Sequence, residues 1–332
     1  NRVIDVMIHD IFSPPVASRV FAYPNIAAYE IIAQNDENYN SLSGQINTLG
    51  NIPKPKNEDQ INYQLAAFMT HLDLSKKLIF SEEKLDVYQD SLYSLWETAN
   101  PIEFEEAKAY ASDVTGYISN WMDKDNYNQT RTMPKYTVNS SEDWRWQPTP
   151  PSYMDGLEPH WNKIRPFVLD SASQFKPIPP PEFSMDKNSK FYKELREVYE
   201  ITNEMIQIGD ESEEVQIAKF WDCNPYVSVN RGHLMFAVKK ITPGAHWILI
   251  TQIACKNTDS DVNKSIYAYT KSSIGIADAF ISCWDEKYRS NLVRPETLIN
   301  KYFDDEWKPI LQTPPFPEYT SGHSVVSGSA AT

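Results

Sequence analysis

Lys287 and Arg294 stand seven residues apart, and Pro295 follows the second of them. Further on, Thr320-Ser321-Gly322-His323 opens a run of small residues that includes Ser324, Ser327, Gly328, Ala330 and Ala331. Two cations, a hydroxyl, a glycine and a histidine are the residue types that hold an oxyanion and move protons at it. Seven residues are close to two helical turns, so on one helix the cations would lie almost in register and converge on one point. Pro295 cannot continue such a helix and would leave Arg294 at its end. Thr320 or Ser321 can cap the next helix. Gly322 lets an anion approach backbone N–H groups there, where the helix dipole also favours negative charge. His323 would project from that first turn, placed to donate a proton to a leaving oxygen. Each motif alone has a plainer reading. Cations at a helix C-terminus simply complement its dipole, and Ser-Gly-His can be a capping turn with an incidental histidine.

The elements that must position these residues read as helices. Val3, Val6, Met7 and Ile11, then Val20, Ala27, Ala28, Ile31 and Ile32, recur at helical spacing on either side of Ser13-Pro14-Pro15. Ile61 to Leu78 and Leu85 to Trp96 predict two more helices, and Pro101 starts another whose first turn carries Glu103, where the dipole favours acids. Prolines crowd residues 131–182 and exclude long helices, while Trp144, Trp146, Tyr153, Trp161 and Phe167 would pack that connection onto the protein. It is expected either to cover a site or to wrap two helical halves together. Helices are predicted again over Ser189–Ile208, Glu213–Trp221, Pro225–Val238, Pro243–Ala254 and Val262–Val293. There is no strand ladder and no internal repeat, so the fold class is all-α, a set of packed helix bundles. The organisation expected is an N-terminal helical region over 1–182, including the proline-rich connection, and a core over 183–332, in one structural unit.

Composition narrows the partners. A net charge of −14 argues against nucleic acid and anionic membranes. No apolar run reaches the roughly 18 residues of a membrane span. Cys223, Cys255 and Cys283 are sparse and odd in number, the pattern of buried free thiols rather than of a disulfide framework or zinc site. Asp259-x-Asp261-x-Asn263 begins like a calcium loop, but Lys264 stands where the turn glycine belongs.

Lys287-x6-Arg294-Pro295, with Ser321-Gly322-His323 beginning 27 residues after Arg294, resembles the first two signatures of the type 2 phosphatidic acid phosphatase and vanadium haloperoxidase superfamily. Trp284-Asp285-Glu286-Lys287-Tyr288, the long helical N-terminal half and Trp161-Asn162-Lys163-Ile164-Arg165-Pro166-Phe167 resemble its haloperoxidase-like branch. Thr320 departs from the proline usual before Ser-Gly-His. The resemblance implies that Lys287, Arg294, Ser321 and the Gly322 N–H hold vanadate or phosphate, and that His323 is the general acid/base. In a haloperoxidase the cofactor would be vanadate, Lys287 would polarise bound peroxide and the partners would be peroxide and halide. In a phosphatase there would be no cofactor; the third signature's histidine would take the phosphoryl group from a phosphate ester as a phosphohistidine, with His323 protonating the leaving alcohol.

The family's third signature, Ser-Arg-x5-His, supplies the histidine that attacks phosphorus or ligates vanadium, and it does not occur in this sequence. No residue is therefore assigned as a direct metal ligand. Asn230-Arg231-Gly232-His233 is a weaker candidate, lying upstream and lacking the Ser-Arg pair. The protein is expected to be an exported, haloperoxidase-like oxyanion enzyme whose site is completed by sequence outside these residues. The alternatives are an acid phosphatase and a non-catalytic oxyanion-binding protein. Burial and the neighbouring cations are expected to make His323 hard to protonate until an anion binds.

Overall fold

The structure, a computed structural model, describes residues 1–224, 228–231, 234–237 and 240–332, the two short runs by backbone alone. Among the described residues the chain forms α1 (Arg2–Asp10), α2 (Pro14–Ala33), α3 (Tyr63–Leu78), α4 (Glu83–Ala99), α5 (Pro101–Met122) and the single turn α6 (Tyr127–Thr130). After the proline-rich connection come α7 (Lys190–Ile208), α8 (Glu213–Phe220), α9 (Pro243–Asn257), α10 (Val262–Ser290), α11 (Pro295–Tyr302) and α12 (Gly322–Ala330). The fold is all-α, with one exception. In place of the helix expected over Pro225–Val238, strands β1 (Ser228–Arg231) and β2 (Leu234–Ala237) pair antiparallel, Ser228 opposite Ala237 and Arg231 opposite Leu234. The β-branched and aromatic content of that stretch favours a pleated surface over a helix. Gly232 and His233, the core of the weaker histidine candidate, lie outside the described residues.

Capping chemistry sets the helix starts. Ser13 caps α2 by accepting from the Val16 N–H, with Pro14 and Pro15 in the first turn where no N–H is missed. Asn100 caps α5 through Glu103 N–H, and Asp261 caps α10 through Lys264 N–H at 2.7 Å. The acids of the calcium-like pattern thus include a helix cap, and no cluster of metal-ligating side chains occurs among the described residues.

Helix α2 is buried almost all round, as a helix apolar on every face must be. One side of it joins α3 and α5 in a core containing Tyr23, Ile26, Ile31, Met69, Val114 and Trp121. The other meets α10, α9 and α12 in a second core built on Phe21, Trp161, Ile276, Phe280, Trp284 and Val326. Gly275 makes the α10–α12 approach possible, because a Cβ there would stand 2.9 Å from the Ser329 Oγ, which donates to the Gly275 carbonyl.

The proline-rich connection is stitched into this framework by carboxylates. Asp278 of α10 accepts from the N–H groups of Phe167, Val168 and Leu169 at 2.7–3.1 Å, and Asp285 accepts from the Asn162 amide. Asp125 accepts from Arg19 Nε at 2.6 Å and from the Tyr23 hydroxyl at 2.8 Å, while its carbonyl receives the Arg165 N–H. Arg165 in turn lies over the Trp121 ring and donates to the Tyr23 hydroxyl. One buried acid therefore ties α2, the end of α5 and the connection together.

Candidate oxyanion-binding active site

Helix α10 does not run to Val293. It stops at Ser290, where Asn291 turns left-handed (φ 50°, ψ 34°) and returns its N–H to the Lys287 carbonyl. Asparagine is among the few non-glycine residues that tolerate this conformation. Val293 N–H then bonds the Trp144 carbonyl, and Arg294 is extended (φ −76°, ψ 143°) ahead of α11, as a residue before proline should be. Lys287 and Arg294 consequently share no helix face, contrary to the two-turn expectation.

They meet on a different element. The segment Phe316-Pro317-Glu318 straps both cations. Lys287 Nζ donates to the carbonyls of Pro317 and Glu318 at 2.9 and 3.1 Å. Arg294 Nε donates to the Phe316 carbonyl at 2.6 Å, and Nη1 to Glu318 Oε2 at 2.6 Å. Both charges also lie over the Phe316 ring, at 4.8 and 4.9 Å from its centroid. The strap is fixed by Glu318 N–H to the Leu292 carbonyl and by the Pro315 carbonyl accepting from Leu157. The connection braces the same corner, since the Leu157 carbonyl accepts from Trp284 Nε1 and the Tyr288 hydroxyl. It also contributes Leu157 to the cavity wall.

Lys287, Arg294, Ser321, Gly322 and His323 line one cavity of about 360 Å³, whose walls include Trp221, Phe280, Trp284, Trp307 and Phe316. Ser321 caps α12, its Oγ accepting from Ser324 N–H at 3.2 Å and from the Ser324 hydroxyl. Its own hydroxyl proton is left for another acceptor. A second cleft, of about 570 Å³ between residues 58–64 and 100–103, carries Glu58, Asp59, Glu103 and side-chain amides but no lysine or arginine. It is electrostatically unsuited to an anion.

Three features of the first cavity fit an oxyanion. Arg294 is 8% exposed, yet its Nη2 has no hydrogen-bond partner among the described residues. A buried donor left unmade costs stability, so its persistence asks for an acceptor. Lys287, 1% exposed, gives two of its three N–H groups to carbonyls and keeps the third. Gly322 is not explained by packing, because a Cβ would meet only the Trp284 ring, at an ordinary 3.8 Å. That Cβ would fill space an anion needs in order to reach backbone N–H groups.

Burial, with Arg294 adding, pulls the Lys287 ammonium down to about 8, against partial support from Cys283 and Glu318. His323 is also lowered, by burial first and then by His246 and Lys287, while the Trp221 carbonyl and Asp222 oppose. The direction matches expectation, but the second group opposing the proton is His246, itself shifted down by burial, and not Arg294. His323 also edges against Trp221, ring centroids 6.3 Å apart, and Trp221 lies 4.6 Å from His246. Sequence reasoning missed Trp221, Asp222, Glu296 and Glu318, all on the cavity wall. Only Glu318 left a signal, through its adjacency to the Ser-Gly-His turn.

The signs give a pH prediction. Burying the Lys287 charge costs stability below about 8, and the cost fades as pH rises toward 10.5, where the unfolded chain also loses that proton. Anion binding needs the protonated form, so affinity is full below about 8 and falls above it. Sulfate, whose charge is constant over this range, should bind up to about ten-fold more weakly per pH unit above that point. Calorimetric titrations would show it, and a flat affinity would mean that Lys287 does not face the anion.

No protein-family model matches the chain, and no curated protein does. Among solved structures, a bacterial vanadium-dependent iodoperoxidase is 64% identical over 99% of this chain and 77% of its own, with a TM-score of 0.94. The chain belongs to the vanadium-dependent haloperoxidase family. Apo and holo structures of a bacterial vanadium-dependent chloroperoxidase, 17% and 16% identical with TM-scores of 0.68 and 0.64, share the haloperoxidase fold. Each aligns with 96% of this chain, and the alignments span 76% and 74% of the two chloroperoxidase chains. The chain is a haloperoxidase-like oxyanion-site enzyme, and the phosphatase and non-catalytic alternatives are not favoured. No described helix is long and apolar enough to cross a membrane.

Proposed function

We propose that the protein is a vanadate-dependent haloperoxidase that oxidises halide, iodide above all, with peroxide. The observation that carries the reading is two buried cations and an open glycine around one cavity, in a chain 64% identical to an iodoperoxidase. Lys287, Arg294, Ser321 Oγ and the Gly322 N–H would hold the vanadate oxygens. Bound vanadate supplies the centre at which peroxide becomes an oxygen donor to halide. The remaining work falls to this chain's own groups. Lys287 and Arg294 balance negative charge in a water-poor, aromatic-walled pocket, where such donors act most strongly. His323 has one ring nitrogen engaged by the Trp221 carbonyl, which leaves the other to give or take a proton at the cavity. No residue of this sequence is assigned as the ligand bonded to vanadium.

The test is the sign of the vanadate effect. Stripped protein given orthovanadate and peroxide should gain iodide oxidation in proportion to vanadate bound, with no aryl-phosphate hydrolysis. Aryl-phosphate hydrolysis that vanadate inhibits, without halide oxidation, would replace this reading with a phosphatase.

A further inference from the structure

We infer that Glu318 is a positioning residue of the oxyanion site, acting through Arg294 and the Phe316–Glu318 strap. The inference rests on the proposed function, in that the anion it serves is the one held by Lys287 and Arg294. Arg294 offers three nitrogens. Nε is engaged by the Phe316 carbonyl, Nη1 by Glu318 Oε2, and Nη2 is buried without a partner among the described residues. A planar guanidinium held at two corners has no rotational freedom left, so the third corner has one direction. The Glu318 carboxylate thus decides which Arg294 nitrogen stays free for an incoming oxygen. The same residue's carbonyl holds Lys287, and its N–H anchors the strap to Leu292. A single residue therefore contacts both cations, one by its side chain and one by its backbone.

Charge alone would assign Glu318 the opposite role. A carboxylate 2.6 Å from Arg294 competes electrostatically with any anion, and removing it should tighten binding. The Glu318 side chain is 40% exposed, so solvent screens that competition, while the hydrogen bond that orients the buried arginine persists. Geometry then outweighs charge.

Two conservative variants separate the roles. Glu318→Asp keeps the charge but shortens the reach to Nη1. Glu318→Gln removes the charge but keeps an oxygen acceptor at the same distance. The protein and both variants are titrated calorimetrically with orthovanadate, and separately with inorganic phosphate, with no peroxide or halide present. Positioning predicts that Glu318→Asp weakens both anions about ten-fold, the worth of one charge-assisted contact. Glu318→Gln should stay within about three-fold of wild type. Wild-type affinity in Glu318→Asp together with tighter binding in Glu318→Gln would overturn the inference and make Glu318 a plain counter-ion. Arg294→Ala is the control. If Arg294→Ala loses binding while Glu318→Asp does not, only the Glu318 inference falls. If wild-type protein binds neither anion, the oxyanion-site reading falls with it.

Discussion

Replacing Lys287 with alanine is expected to lower vanadate-dependent iodide oxidation by about a hundred-fold or more. A preorganised donor in a water-excluded site contributes on the order of 3–4 kcal/mol to a charged transition state. On the proposed function Lys287 would be such a donor: it is 1% exposed, with two N–H groups fixed on the Pro317 and Glu318 carbonyls. The substitution also leaves those carbonyls unpaired and loosens the strap that seats Arg294, so the loss exceeds that of one contact. Lys287→Arg is not expected to rescue, because a planar guanidinium cannot reproduce the contacts of a compact ammonium that donates to two adjacent carbonyls beside the Trp284 and Phe316 rings. Initial rates at saturating peroxide, with bound vanadium measured in the same samples, separate lost cofactor from lost turnover. Turnover within about three-fold of wild type at equal vanadium content would remove Lys287 from the site.

Asp125→Ala is expected to cost about 3–5 kcal/mol of stability, the penalty for stranding a buried charge by removing its partner. Arg19 is 7% exposed and Asp125 1%, and Arg19 Nε meets the carboxylate at 2.6 Å. Without that carboxylate, Arg19 keeps the Tyr127 and Tyr23 rings, and the Tyr23 hydroxyl loses its acceptor. Because the Asp125 backbone also receives Arg165, the proline-rich connection should loosen with it. Denaturant titration of the variant against wild type reads the effect. A loss below about 1 kcal/mol would show that the pair behaves like a solvent-screened surface bridge.

The two predictions differ in how far the sequence alone could have supplied them. Lys287 carries a local signal, since its spacing to Arg294-Pro295 and to Ser321-Gly322-His323 can be read along the chain. Asp125 carries none. Nothing at position 125 marks it as the partner of Arg19, 106 residues earlier, because that pairing exists only once α2 packs beside the end of α5. Glu318 and Trp221 are the same kind of case. Their importance comes from what the fold sets beside them, Arg294 for one and His323 and His246 for the other.

Helices with firm punctuation were legible. Ser13-Pro14-Pro15 and Asn100-Pro101 start α2 and α5 where the capping and proline rules place them. The stretch after Pro225 was not legible, because one proline and a mixed apolar run do not distinguish a helix from two paired four-residue strands. The end of α10 was overrun by three residues because no glycine marks it. Asn291 takes the left-handed turn instead.

By itself, then, the sequence determined the all-α class, the family's first two signatures and the residue types proposed to cradle an anion. These follow from local rules: side-chain periodicity, capping, and the chemistry of cation, hydroxyl and glycine. Tertiary structure decided how the cradle closes. Lys287 and Arg294 converge because α10 breaks at Asn291 and a strap 22 to 31 residues away offers its carbonyls to both cations. Such convergence depends on backbone groups, which every residue carries alike and which no sequence pattern distinguishes until packing brings them into place.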